Sequence, residues 1–241
     1  MKKIISMLMA AMLVTACQTE TGTGLGMQGS RKEISWNNDV VEFSTLNQYH
    51  SAKKNPAIRA TLRREDGKRI EMPVDKTGLG YGTSFPCGTS GFYKPDNGIA
   101  LAEILSMTDE RMTIHLSYNE WSIYEAPVTL DKQITLFRDA PVMEVYDYYQ
   151  GLFDLLNVAA GLTTAQNGAV RPLENGVAVE YPQKGVTAVV IMPKEGGCTV
   201  HKTESDVMLT KEVVSGEPIH YYVGISDKGL DYLLEELAKI M

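Results

Sequence analysis

Apolar and polar residues alternate with a period of two along most of this chain, and the alternation marks out strands. Met112, Ile114, Leu116 and Tyr118 interleave with Arg111, Thr113, His115, Ser117 and Asn119. That is the pattern of a strand with one face in a core and the other toward water. Further runs predict strands at 40–46, 57–62, 69–72, 99–106, 128–137, 142–149, 177–181, 187–192, 199–202, 207–214 and 219–225, and 155–162 is a short apolar segment. Turn residues separate them: Glu65-Asp66-Gly67-Lys68, Arg138-Asp139-Ala140-Pro141, and Gly185 at the bend of a hairpin. The stretch 78–91, with Gly78, Gly80, Gly82, Gly88, Gly91 and Pro86, shows no apolar alternation and is expected to be a long surface loop. Only the end reads as a helix. Leu230, Leu233, Leu234, Leu237 and Ile240 recur at helical spacing, Glu235 and Glu236 take the other face, and Asp227 is placed to cap. A succession of short strands closed by one helix predicts a mostly-β fold, an antiparallel β-sandwich with a C-terminal α-helix.

The first residues follow another logic. Lys2 and Lys3 precede a short apolar run, residues 4–14, broken only by Ser6. That run is too short for a membrane-spanning helix, which needs about 20 apolar residues. Val14-Thr15-Ala16-Cys17 then has the apolar-small-small-Cys pattern of a lipobox. The expectation is a signal peptide over residues 1–16, cleavage before Cys17, and a lipidated Cys17 as the new N-terminus. Two or more acyl chains on one residue anchor a protein stably to a membrane. Residues 18–30, rich in Gly and Thr, read as a flexible linker, which leaves 31–241 as the β-sandwich domain. The expected location is the cell envelope, lipid-anchored on the periplasmic or surface face of the outer membrane.

Charge narrows the partners. The net charge is −7, and losing Lys2 and Lys3 makes the mature chain more acidic still. Nucleic acid is excluded as a partner, because phosphate contacts need a basic surface. The four histidines, His50, His115, His201 and His220, show no zinc-type spacing with each other or with cysteines, so neither metal nor other cofactor is expected. Cys87 and Cys198 fit a disulfide outside the cytoplasm or two buried thiols, and both alternatives stay open.

Four segments carry a resemblance. They are Val128-Thr129-Leu130-Asp131-Lys132-Gln133-Ile134-Thr135-Leu136-Phe137-Arg138-Asp139-Ala140-Pro141-Val142-Met143-Glu144-Val145; Asn157-Val158-Ala159-Ala160-Gly161-Leu162; Gly176-Val177-Ala178-Val179-Glu180-Tyr181-Pro182-Gln183-Lys184; and His220-Tyr221-Tyr222-Val223-Gly224. In that order, over residues 98–241, the chain resembles the family called domain of unknown function 4861. Its members are exported bacterial proteins, often associated with polysaccharide utilisation. The resemblance implies a large sugar-handling β-sandwich of the mutarotase-like kind and a carbohydrate ligand. The chain departs from the family pattern twice. Thr163 and Thr164 stand where a basic residue and a histidine are expected, and Gly224-Ile225-Ser226-Asp227 lacks an expected tryptophan. Those departures put family chemistry at these positions in doubt.

Candidate chemistry concentrates on three polar strand faces. His220 and Tyr222 share one face of the last strand, with Ile219, Tyr221 and Val223 on the other. They are the candidate acid/base pair, with Tyr222 able to donate a proton or stack on a sugar. His115 is the third catalytic candidate, near Asn119, Glu120 and Trp121. Trp121 and Trp36 are candidate sugar platforms, since an indole packs on the apolar face of a pyranose. Arg138 could clasp a uronate carboxylate. Bland readings stand beside each: a satisfied core histidine, core tryptophans, a charged turn. Three functions remain: a glycan-binding or accessory lipoprotein of a polysaccharide-utilisation system, an enzyme on oligosaccharides (lyase, dehydratase, hydrolase or epimerase), and a structural envelope lipoprotein.

Overall fold

The computed structural model describes residues 24–49, 54–164, 168–194 and 197–241. Cys17, the expected signal peptide and His50 lie outside these residues. The chain opens with a meander of β1 (Gly26–Gly29), β2 (Glu33–Asn37), β3 (Val41–Leu46), β4 (Arg59–Arg63) and β5 (Arg69–Glu71), which form one five-stranded sheet in that order. Next come β6 (Tyr81–Gly88), β7 (Gly91–Phe92), β8 (Ile99–Met107), β9 (Arg111–Ile123), β10 (Ala126–Phe137), β11 (Val142–Gly151) and β12 (Leu156–Thr163). The chain finishes with β13 (Ala169–Leu173), β14 (Gly176–Tyr181), β15 (Val186–Ile191), β16 (Thr199–Lys202), β17 (Asp206–Val213), β18 (Pro218–Ser226) and α1 (Leu230–Ile240).

The later strands build an eight-stranded sheet ordered β13-β14-β15-β18-β11-β10-β9-β8 and a second five-stranded sheet ordered β16-β17-β12-β6-β7. Every strand pair is antiparallel. A parallel bridge between Ile58 and Gly80 joins the two five-stranded sheets edge to edge. One apolar core unites all three. It takes Trp36 and Phe43 from the first sheet, Ile114, Ile134, Val190 and Tyr221 from the eight-stranded sheet, and Leu162 and Leu209 from the third. The two smaller sheets therefore cover one face of the large sheet, as expected for an antiparallel β-sandwich. α1 packs Leu233 and Leu237 on the opposite face, against Val142, Ala178, Val189, Ile191 and Tyr222.

Three expectations need correction. Residues 78–91 are not a surface loop: β6 runs through them, with Tyr81, Gly82, Thr83, Ser84, Phe85 and Pro86 all buried. A strand buried on both faces has no alternation to read. Its glycines serve close packing instead: at Gly80 (φ +67°) a Cβ would sit 2.2 Å from the Ile58 carbonyl oxygen. The domain also begins before residue 31, because β1 pairs with β2 and buries Leu25 and Met27. Finally, Asp227 does not cap α1. Gly229 occupies the cap without a side-chain bond, and Asp227 pairs with Arg64 at 3.1 Å.

Candidate functional site

The outer face of the eight-stranded sheet collects the histidine candidates. Cross-strand register sets Glu103 opposite His115, His115 opposite Gln133, Gln133 opposite Tyr146, and Tyr146 opposite His220. One polar row thus crosses β8, β9, β10, β11 and β18. Neighbouring strands lie ~4.8 Å apart, so the two histidines are roughly 14 Å from each other. They share a surface but form two separate groups.

The group at His220 is the denser one. Glu144, opposite Tyr222 in the register, presents Oε1 to three donors: His220 Nε2 at 3.0 Å, Tyr222 hydroxyl at 2.9 Å and Tyr146 hydroxyl at 3.2 Å. The His220 imidazole stacks on the Tyr146 ring at 4.0 Å and 11°, and the Tyr222 ring lies tilted against it at 4.9 Å. The bond from His220, helped by those from Tyr222 and Tyr146 and opposed by burial, holds the Glu144 carboxyl below its ordinary range. Burial first, and then Glu144, pushes the Tyr222 and Tyr146 hydroxyls up, so both remain donors at neutral pH. His220 Nδ1 makes no hydrogen bond to any described residue. At the other end of the row His115 lies 3.2 Å from Glu103 Oε1 and 3.0 Å from Asp131 Oδ1. Chemically this face offers two half-exposed rings, Tyr146 and His220, beside carboxylates, with Tyr222 buried under α1 and each imidazole held by a carboxylate.

The remaining candidates are elsewhere. Trp121 is buried on the inner face, edge-on to Tyr149 at 6.4 Å. The cause is a β-bulge: Val128 pairs with Trp121 but Leu130 pairs with Tyr118, so Asn119 and Glu120 face one residue and the inward phase shifts by one. Trp36 is fully buried and stacks on Phe43 at 6.3 Å. Neither indole presents a face to a ligand, which corrects the sugar-platform expectation. Arg138 reaches toward Asp109 at 3.7 Å, outside both histidine groups. Cys87 and Cys198 are free thiols, each raised by burial. Among the described residues no group of three or more His, Cys, Asp or Glu is placed to hold a metal ion, and no helix is long and apolar enough to cross a membrane.

A second polar constellation lies inside the sandwich. Lys132 and Asp147, directly paired across β10 and β11, are both 0% exposed, with Nζ 2.6 Å from Oδ1 and 2.7 Å from Oδ2. Tyr221 donates to Asp147 Oδ2 at 2.8 Å, and Ser84 of β6 donates to the same oxygen. Burial pushes the Lys132 ammonium below its ordinary value, against the pull of Asp147. Ser, Lys and Asp in contact are a catalytic vocabulary, but these side chains are sealed from solvent, so the cluster ties β6 to the large sheet. A cleft of about 620 Å³ elsewhere, lined by Asp39, Arg63, Arg64, Asp139, Asp227 and Lys228, has its cations already matched, by Arg63–Glu42 at 2.9 Å, Arg64–Asp227 and Lys228–Glu65 at 3.0 Å.

Glu144, Tyr146, Asp131 and Glu103 were not among the sequence candidates. All four sit in the outward phase of predicted strands, which was a usable signal. Their convergence depends on which strands pair, which was not. No protein-family model matches the chain, and no curated protein matches it in sequence. Among solved structures it is similar to a TPR-domain containing protein from Parabacteroides distasonis, with TM-score 0.51 and 12% identity over 83% of this chain and 48% of that one. It is also similar to a protein named as a kojibiose phosphorylase from the human microbiome, with TM-score 0.50 and 10% identity over 90% of this chain and 36% of that one. The chain spans about half of the first neighbour and just over a third of the second. At these identities the likeness is one of fold alone.

Proposed function

We propose that this protein is a lipid-anchored envelope protein that binds, or helps to process, glycans in a bacterial polysaccharide-utilisation system, with the outer face of the eight-stranded sheet as its binding surface. The observation that carries this reading is the half-exposed Tyr146–His220 ring stack, gathered with the buried Tyr222 on Glu144 on the polar outer face of the sheet. Rings that pack on sugar C–H faces, beside carboxylates and amides that take hydroxyl hydrogen bonds, are what glycan recognition requires. The lipobox at Cys17 and the resemblance over residues 98–241 support the setting. The fold of the sugar phosphorylase neighbour is compatible with it, as a fold.

A second reading, an enzyme on oligosaccharides, is favoured by one feature: Glu144 orients His220 through Nε2 while Nδ1 has no hydrogen bond among the described residues, as in an acid/base dyad. One experiment separates the two. The protein is screened against plant, algal and host glycans by thermal shift, and by chromatography for new products. A melting shift without products, lost in Tyr146→Ala, supports binding. Products that disappear in His220→Ala support the enzyme. Silence across the panel removes both. Incorporation of a palmitate analogue, lost in Cys17→Ser, tests the anchor.

A further inference from the structure

We propose that the outer face of the third sheet carries a separate groove for an uncharged glycan chain. A cavity of about 490 Å³ lies there, across β6, β12, β17 and β16. Its floor is Cys87, Phe92 and Met208, resting on buried Leu79, Phe85 and Ala159. An outward sheet face is ordinarily polar, and on this sheet the alternation brings apolar residues to both faces: Val158, Ala160 and Leu162 inward, Ala159 outward. The protein itself buries Leu79, Phe85, Ala159 and Met208, while Cys87 and Phe92 above them stay partly exposed, and that remaining apolar surface is what a ligand would cover.

The lining defines the ligand class. Among the described residues no Asp, Glu, Lys or Arg lines the cavity, on a chain rich in charge. Uronates, phosphates and cationic peptides would find no counter-charge. The rim is made of Asn157, Thr210 and His201, and neither Asn157 nor His201 makes a side-chain hydrogen bond to any described residue. Free amide and imidazole groups above an apolar floor with an aromatic ring match the hydroxyl edges and C–H faces of neutral sugar rings. The register gives the length. Pro86 aligns with Val158, Gly161 with Met208, and Met208 with His201. Four residues along the strand and three strand spacings across make a diagonal of roughly 19 Å, longer than one sugar ring. A partner strand would need a sheet edge and would gain nothing from the rim. The groove lies on the other side of the sandwich from His220, so it does not depend on the glycan reading of that face.

Cys87 is the built-in reporter. In a Cys17→Ser/Cys198→Ser background it is the sole thiol of the chain, and its alkylation by N-ethylmaleimide is followed by mass spectrometry. Neutral gluco-, manno- and xylo-oligosaccharides serve as probes, with oligogalacturonate as the charged control. The expected result is saturable slowing of alkylation, at least several-fold, by a neutral oligosaccharide. It weakens about tenfold in the Asn157→Ala/His201→Ala double variant, from loss of two hydrogen bonds, and is unchanged in Tyr146→Ala. Both side chains are exposed and have no hydrogen bond among the described residues, so the double variant is expected to keep the parent melting temperature. The proposal is overturned if no neutral sugar slows the reaction, if slowing survives the double variant, or if oligogalacturonate protects equally well. Protection that grows with protein concentration alone would assign the groove to a second copy and would also overturn it.

Discussion

Replacing Asp147 by Ala tests the buried cluster directly. The substitution removes both carboxylate oxygens from Lys132 Nζ, which lie at 2.6 and 2.7 Å, in a site where both side chains are fully enclosed. The stranded ammonium keeps only Tyr221 hydroxyl at 3.1 Å and the Gly82 carbonyl at 3.4 Å. Leaving a buried charge without its partner costs about 3–5 kcal/mol. For a chain of this size that lowers Tm by about 6–20 °C, at about 2–4 °C per kcal/mol. The companion variant Lys132→Met/Asp147→Leu removes both charges and keeps the volume apolar. The Tyr221 hydroxyl, released from Asp147, has the Gly82 carbonyl oxygen at 3.1 Å to donate to, and Ser84 keeps Tyr149 at 2.8 Å. The double variant is therefore expected to be much closer to the parent than Asp147→Ala is. Urea unfolding followed by Trp fluorescence reads both, since Trp36 and Trp121 are buried in the same core. If Asp147→Ala costs less than about 1 kcal/mol, or the double variant is as unstable as the single, the enclosed-pair reasoning fails.

Other outcomes follow from the same geometry. The Glu144 carboxyl should titrate below its ordinary 4.5, because His220, Tyr222 and Tyr146 bond its charged form. Its folded value is depressed, so its stabilisation is complete above pH 4.5 and is lost as pH falls through the folded value. Carboxyl NMR should show the midpoint rising in His220→Ala; a parent midpoint at or above 4.5 contradicts this. Gly80→Ala should destabilise by more than about 1 kcal/mol, because the position has positive φ and the Ile58 carbonyl occupies the Cβ site; an unchanged denaturation midpoint would refute it. Trp121→Ala should cost about 3–5 kcal/mol as a core truncation. Loss of glycan binding with unchanged stability would instead restore Trp121 as a platform.

The sequence determined the class of the fold, because alternation is a local property and a half-buried strand writes it residue by residue. β9, β10 and β11 were legible for that reason, as were the β14–β15 hairpin with Gly185 in its turn and the amphipathic α1. The shared face of His220 and Tyr222 followed from the same period of two. Where burial is on both sides the code is silent, so β6 read as a loop and only the folded chain places it in the core. Lys132 and Asp147 were visible as polar residues in the inward phase of adjacent strands, yet only the register makes them partners. A single bulge at Asn119–Glu120 was enough to turn Trp121 from the outer face to the core. Glu144 reached His220 across 76 positions because β18 inserts between β15 and β11. Strand order is decided by how three sheets bury one another's apolar faces, a global contest that no local pattern records.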